Sequence, residues 1–184
     1  NKYYGFIQNG QGLYISSSGG NSLSAQVNSP GGISGNWVTP LRVNAAGTVF
    51  GGYNDLYRLN GNSWVKQNTN PIGTGNLELI SIDPSDDNIM YIANGIRLYK
   101  STDLGVTFTN IYTSDTNITS IEVHSSDSNI VYLTSQGANG LALKSTDGGL
   151  SFTDFSEGLP NIGKNIIIHQ GRNSDNPLYL GTTL

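Results

Sequence analysis

Ser101-Thr-Asp-Leu-Gly-Val-Thr-Phe108 and Ser145-Thr-Asp-Gly-Gly-Leu-Ser-Phe152 are one eight-residue pattern written twice, 44 residues apart. The shared form, Ser-Thr-Asp-x-Gly-x-[Thr/Ser]-Phe, marks the chain as a repeat array, because a match of this length at a fixed distance implies a common structural unit. Its chemistry is that of a tight turn between two strands. The short carboxylates of Asp103 and Asp147 can accept hydrogen bonds from nearby backbone N–H groups. Gly105 and Gly149 suit a positive φ that a side chain resists. Phe108 and Phe152 are expected to pack between neighbouring sheets, where burying such a ring contributes roughly 1.5–3 kcal/mol. Ser101, Thr107, Ser145 and Ser151 complete the pattern, and all of these positions read as structural.

The same period runs through the rest of the chain. Tyr4, Phe50, Tyr91, Tyr132 and Tyr179 hold one equivalent place, at spacings of 46, 41, 41 and 47 residues. Leu13, Leu56, Leu98 and Ala142 form a second series, at spacings of 43, 42 and 44. Within the third unit, Leu79–Ile82, Ile89–Ala93, Ile96–Lys100 and Phe108–Tyr112 read as four successive strands, and Ile96–Lys100 alternates apolar and polar residues as a strand with one buried face does. No segment carries a sustained helical period. Repeats of this length with four strands each predict an all-β fold of β-propeller type, with about four four-stranded antiparallel blades. The units divide a single segment, 1–184, at about 1–36, 37–77, 78–117, 118–164 and 165–184. Earlier copies of the turn are worn: Ser18 stands where Asp is expected, and Leu56 to Trp64 forms a hairpin two residues shorter. The chain opens and closes on the second strand of a unit, so it is expected to be part of a larger propeller.

Composition narrows the function classes. Only 12% of the 184 residues are charged and the net charge is -4, yet ten Tyr, five Phe and two Trp lie within alternating runs, which is unlike a disordered chain. Cysteine is absent, which removes disulfides and thiolate metal sites. Nine Lys and Arg are scattered singly and form no basic stripe, so nucleic acid is not expected as a partner. No apolar run approaches the length of a membrane span, so no membrane insertion is expected. No metal or cofactor is expected.

The repeated motif resembles the Asp-box, the bacterial neuraminidase repeat found in sialidases, xyloglucan-active propellers and sorting-receptor ectodomains of the sortilin type. Trp37-Val-Thr-Pro40, Ile82-Asp-Pro84 and Leu98-Tyr-Lys-Ser-Thr-Asp103 are also similar in style to surface-exported propellers of Bacteroidetes. The resemblance implies an extracellular or cell-surface location, with box turns on the outer side of each blade, remote from the central channel.

Each candidate site has a structural role as its alternative. His124 and His169 fall at the ends of inner strands that are read as equivalent, in line with Asn44 and Asp83, and a position accepting Asn, Asp and His reads as a polar strand end. The acidic turn 83–88 offers oxygen ligands of the kind calcium takes, but its counterparts 125–129 and 171–176 are less acidic, and all three read as one Asx-rich turn. A sialidase needs an arginine cluster, and Arg42, Arg58, Arg97 and Arg172 occupy differing places in their units. A hydrolase of the xyloglucanase kind needs two opposed carboxylates. Glu122 draws attention because it interrupts the inner strand Ile121-Glu-Val123, facing the channel or a neighbouring blade. Tyr53, Tyr57, Trp64 and Trp37 sit near Gly- and Asn-rich turns, where an aromatic face with amide neighbours suits sugar binding. Inter-blade packing is the alternative for both tryptophans, and Trp64 aligns with the box aromatic. Tyr53, Trp37 and Glu122 are therefore the candidate ligand-binding residues. Two functions stand open: a non-catalytic extracellular scaffold or binding module for glycan or protein, or part of a glycoside hydrolase whose carboxylates lie outside this chain.

Overall fold

Alternating apolar and polar residues, broken every few positions by Gly, Asn and Asp, leave the chain only short strands and tight turns to form. The computed structural model describes residues 2–137, 140–171 and 177–183. It holds five consecutive antiparallel sheets. Strands β1 (Tyr3–Phe6), β2 (Gly12–Ser16) and β3 (Ala25–Asn28) form the first. β4 (Leu41–Val43), β5 (Val49–Gly52), β6 (Leu56–Asn60) and β7 (Ser63–Lys66) form the second. The third is built from β8 (Leu79–Ile82), β9 (Met90–Asn94), β10 (Arg97–Ser101) and β11 (Thr109–Thr113). The fourth has β12 (Ile118–Val123), β13 (Val131–Ser135), β14 (Ala142–Ser145) and β15 (Thr153–Asp154), and the fifth has β16 (Lys164–His169) and β17 (Leu178–Thr182). Among the described residues the only helical turns are single 3-10 turns at Gln8–Gly10 and Pro30–Gly32.

In every sheet the spatial order of strands is the chain order. The connections must then alternate between two ends of the array. Links between sheets and the turns joining second to third strands share one end, called here the link end. Turns joining first to second and third to fourth strands share the other, the turn end. The backbone confirms both groupings: Asn9 N–H donates to Trp37 O across the link end, while Leu104 N–H donates to Asn88 O and Gly148 N–H to Asn129 O across the turn end. The first strands β4, β8, β12 and β16 approach one another in succession, so they line the common axis.

The core lies between sheets. Phe50 and Leu56 of the second sheet meet Ile80, Met90, Ile92 and Phe108 of the third, and Tyr91, Ala93 and Leu98 of the third meet Ile121, Val131 and Leu133 of the fourth. Each interior sheet thus buries both faces, one against its predecessor and one against its successor.

Ladder pairing aligns the sheets residue by residue and corrects one expectation. Arg42 pairs with Phe50, Ser81 with Tyr91, Glu122 with Tyr132 and Ile168 with Tyr179, so Arg42, Ser81, Glu122 and Ile168 are one position. Two residues further on, Asn44, Asp83, His124 and Gln170 close their strands with equivalent backbone hydrogen bonds. His169 therefore is not the counterpart of His124. It stands with Val43, Ile82 and Val123, because the following turn, 171–177, is one residue longer than 84–89 or 125–130. Arg172 and most of the third Asx-rich turn, 172–176, lie outside the described residues.

Candidate functional site

The Ser-Thr-Asp turns close on themselves at the turn end. Thr107 N–H and Oγ1 donate to the two carboxylate oxygens of Asp103 at 2.9 and 2.6 Å, and Ser101 Oγ donates to Oδ1 at 2.7 Å. Asp147 receives the same three bonds from Ser151 and Ser145, at 2.9, 2.5 and 2.7 Å. These donors, led by the Thr107 and Ser151 hydroxyls, hold each carboxyl down to about 2. Gly105 and Gly149 have φ of 79° and 89°, and their N–H groups donate to Ser101 and Ser145. The first sheet rebuilds this network without a carboxylate: Gly20 N–H donates to Ser16 Oγ, Ser22 N–H donates to Ser18 Oγ at 3.0 Å, and the Ser18 and Ser22 hydroxyls meet at 2.8 Å. With its acceptor sites engaged by the turn's own donors, the carboxylate here organises backbone.

The acidic turn 83–88 is wired in the same manner. Asp83 Oδ1 accepts from Ser85 N–H and Oγ and from Asp86 N–H, while Asp87 accepts from the N–H groups of Ala45 and Ala46 in the preceding sheet.

Tyr53 is not an exposed ring. It is fully buried, its hydroxyl donates to Gly10 O at 2.7 Å, and its ring meets Phe6, Tyr57 and Trp64 edge-on. Burial also pushes its phenol well above the ordinary value. It bridges the second-to-third-strand turns of the first two sheets, which removes it as a ligand contact. Trp64 joins the same aromatic cluster and is partly buried.

Trp37 is placed oppositely. Its indole is 67% exposed, beside Val38 at 79%, although its backbone is clamped. Asn9 N–H donates to Trp37 O, Gly35 N–H to Asn9 O, Thr39 Oγ1 to Asn36 O and Asn36 Nδ2 to Leu77 O. A cleft of about 270 Å³ opens beside it, lined by Phe6, Ile7, Gln8, Trp37, Val38, Thr39 and Leu41, none of them charged. A second cleft of about 370 Å³ opens at the same end, walled by Gln136, Asn161, Asn165 and Thr183. Beneath it lies Lys164, 2% exposed, with its ammonium donating to the carbonyls of Gly140, Pro160 and Ile162. Sequence reading passed over these amides and this lysine. Their available signal was position, since all fall in or beside loops of the same end as Trp37.

Glu122 faces the neighbouring sheet. Its Oε1 accepts from His169 N–H at 3.1 Å, bridging β12 to β16. Burial raises its pKa, while that N–H and the charge of Arg42 pull it down. The charge acting on it is thus a guanidinium, where a hydrolytic pair would need a second carboxylate. The His124 and His169 rings stack beyond it, with centroids 4.0 Å apart. Trp37, at the link end before β4, and Glu122, toward the turn end of β12, do not line a common cleft.

Comparison with known proteins finds no matching family model and no matching curated protein. Solved structures do match. A GH74 enzyme from Niastella koreensis aligns with a TM-score of 0.62 at 21% identity, over 80% of this chain and 27% of that one. A GH74 xyloglucanase from Xanthomonas campestris aligns with a TM-score of 0.64 at 17% identity, over 80% and 28%. YCF48 from Cyanidioschyzon merolae aligns with a TM-score of 0.65 at 14% identity, over 91% and 57%. The chain spans about a quarter of the GH74 structures' length. At these identities the likeness is one of fold, and the fold is that of β-propeller blades.

Proposed function

We propose that the chain is a non-catalytic binding module that holds neutral glycan chains at its link end, on the Trp37 face, outside the cell or at a cell surface. One observation carries the reading: a large indole stands in solvent on a backbone fixed by hydrogen bonds. Such a ring gives a sugar an apolar face at little entropic cost, and the Gln8 amide and Thr39 hydroxyl of the same cleft supply polar fixing groups. The absence of charge from both link-end clefts favours a neutral ligand over an ionic one. The two Ser-Thr-Asp turns are, on this proposal, Asp-boxes that stiffen the blades at the far end and touch no ligand. A protein ligand on the same face is the alternative occupant.

Calorimetric titration with xyloglucan fragments and other neutral glucans tests the reading. Saturable binding without product is expected, weakened about tenfold or more by Trp37→Ala at unchanged melting temperature. No saturation with any glucan would sink it. The second reading, part of a glycoside hydrolase, draws on the GH74 likeness, and release of reducing sugar ends from the same panel would favour it instead.

A further inference from the structure

The seam between β12 and β16, first strands of neighbouring sheets, is closed by side chains, since the two strands share no ladder. Thr119 Oγ1 donates to Lys164 O, Ser120 Oγ donates to Ile167 O at 3.4 Å, and Glu122 Oε1 accepts from His169 N–H. At the turn end the seam finishes on the His124 and His169 rings, stacked with centroids 4.0 Å apart and planes 27° apart. The corresponding pairs in the two preceding seams are Asn44 with Ile82 and Asp83 with Val123, neither of which contains an imidazole.

Both rings are buried, at 9% and 7% exposed, and both are wired as acceptors. Ser126 N–H donates to His124 Nδ1 at 3.3 Å, and Ser125 N–H donates to His169 Nδ1 at 3.4 Å. A ring whose Nδ1 accepts from the backbone is neutral and carries its proton on Nε2. A second proton must enter where an amide proton already points, so charging either ring breaks a backbone hydrogen bond. Two charged rings at this separation would also repel. The buried Nε2 of His169 has no hydrogen-bond partner among the described residues to stabilise an imidazolium. The surrounding charges are mixed. Glu122 approaches from β12, but its carboxylate is engaged by the His169 N–H and lies in the field of Arg42. Lys144 of β14 sits over the ring of Tyr132, which itself stacks with His169 at 6.3 Å. Arg172 and Asp175, in the turn after β16, lie outside the described residues.

We propose that the His124–His169 stack is an acid-released latch: protonation below about pH 6.5 parts the turn end of β12 from β16 while the other seams stay closed. The sign follows from burial and the neighbouring ring, which lower the pKa of His169. The closed seam prefers the neutral ring, so it is fully held above the ordinary histidine value and is released as pH falls from there. The inference stands apart from glycan binding, since the latch lies at the turn end and Trp37 at the link end.

Amide hydrogen exchange from about pH 7.5 to about pH 4.5, corrected for the intrinsic rate at each pH, tests it. The amide at position 169, bonded across the seam to Glu122, is the reporter. Its protection is expected to fall about tenfold or more below about pH 6.5, while amides of β5 and β9 stay protected. Two substitutions borrow residues from other seams: His124→Asn, after Asn44, and His169→Ile, after Ile82. Each alone should shrink the fall and the double variant should abolish it, with circular dichroism confirming that each stays folded. Protection at position 169 that is flat with pH in the wild type overturns the proposal. So does a loss shared equally by all sheets, which is global unfolding, or a loss that persists in the double variant, which belongs to Glu122.

Discussion

Asp103 and Ser18 occupy the same corner of the same turn, and their comparison isolates what the carboxylate contributes. Each accepts the N–H and meets the hydroxyl of the residue four places on, but only Asp103 uses two oxygens. Asp103→Ala should cost about 1 kcal/mol in urea unfolding, because it strands donors at an exposed turn. Asp103→Ser should cost less, since the first sheet already closes with serine. The sign of the pH effect follows from the depressed carboxyls. Both Asp103 and Asp147 sit at about 2, below the ordinary carboxylate, so their stabilisation is complete above about pH 4 and is lost as pH falls toward 2. The melting temperature of an Asp103→Asn, Asp147→Asn double variant should change less over that window than the wild type's. Leu104 shows the cost of variation here: at φ 60° it takes the left-handed place that Gly148 fills in the next copy.

At the level of the strand and its neighbours, pairing decides which side chains can act. Tyr53 stitches two sheets together through the Gly10 carbonyl, and Tyr53→Phe leaves that buried acceptor without its partner. A loss of about 1–3 kcal/mol is expected, with glycan binding unchanged. The opposite result, lost binding at full stability, would return Tyr53 to the ligand site. His169 is an element-scale conflict of another kind. Where Val43, Ile82 and Val123 stand in other sheets, it places a ring whose buried Nε2 has no hydrogen-bond partner. Burial and the neighbouring His124 lower its pKa. Its stabilising neutral form is complete above the ordinary histidine value of about 6.5 and is lost as pH falls from there through the folded-state value. His169→Ile should flatten the stability profile below about pH 6.5, as followed by thermal melts.

For the whole molecule, stacking replaces a single central core. Every interior sheet buries one face against its predecessor and one against its successor, so stability is close to a sum of units and interfaces.

The period, the four-strand grammar and the wiring of the Ser-Thr-Asp turns were legible in the chain because they depend on residues within a few places of one another. A turn needs its carboxylate, glycine and hydroxyl at fixed offsets, and a half-buried strand needs alternation, so a linear reading recovers both. The anchors Phe50, Tyr91 and Tyr132 were legible for the same reason. Burial was not. Tyr53 and Trp37 look alike in sequence, each an aromatic beside Gly and Asn, and only the neighbouring sheet turns one into a bridge and leaves the other in solvent. The register of His169 depended on the length of the turn after it, and the engagement of Glu122 on an N–H 47 residues away. Contacts between sheets join residues about one repeat apart, and which of them meet is set by stacking geometry that no local pattern encodes.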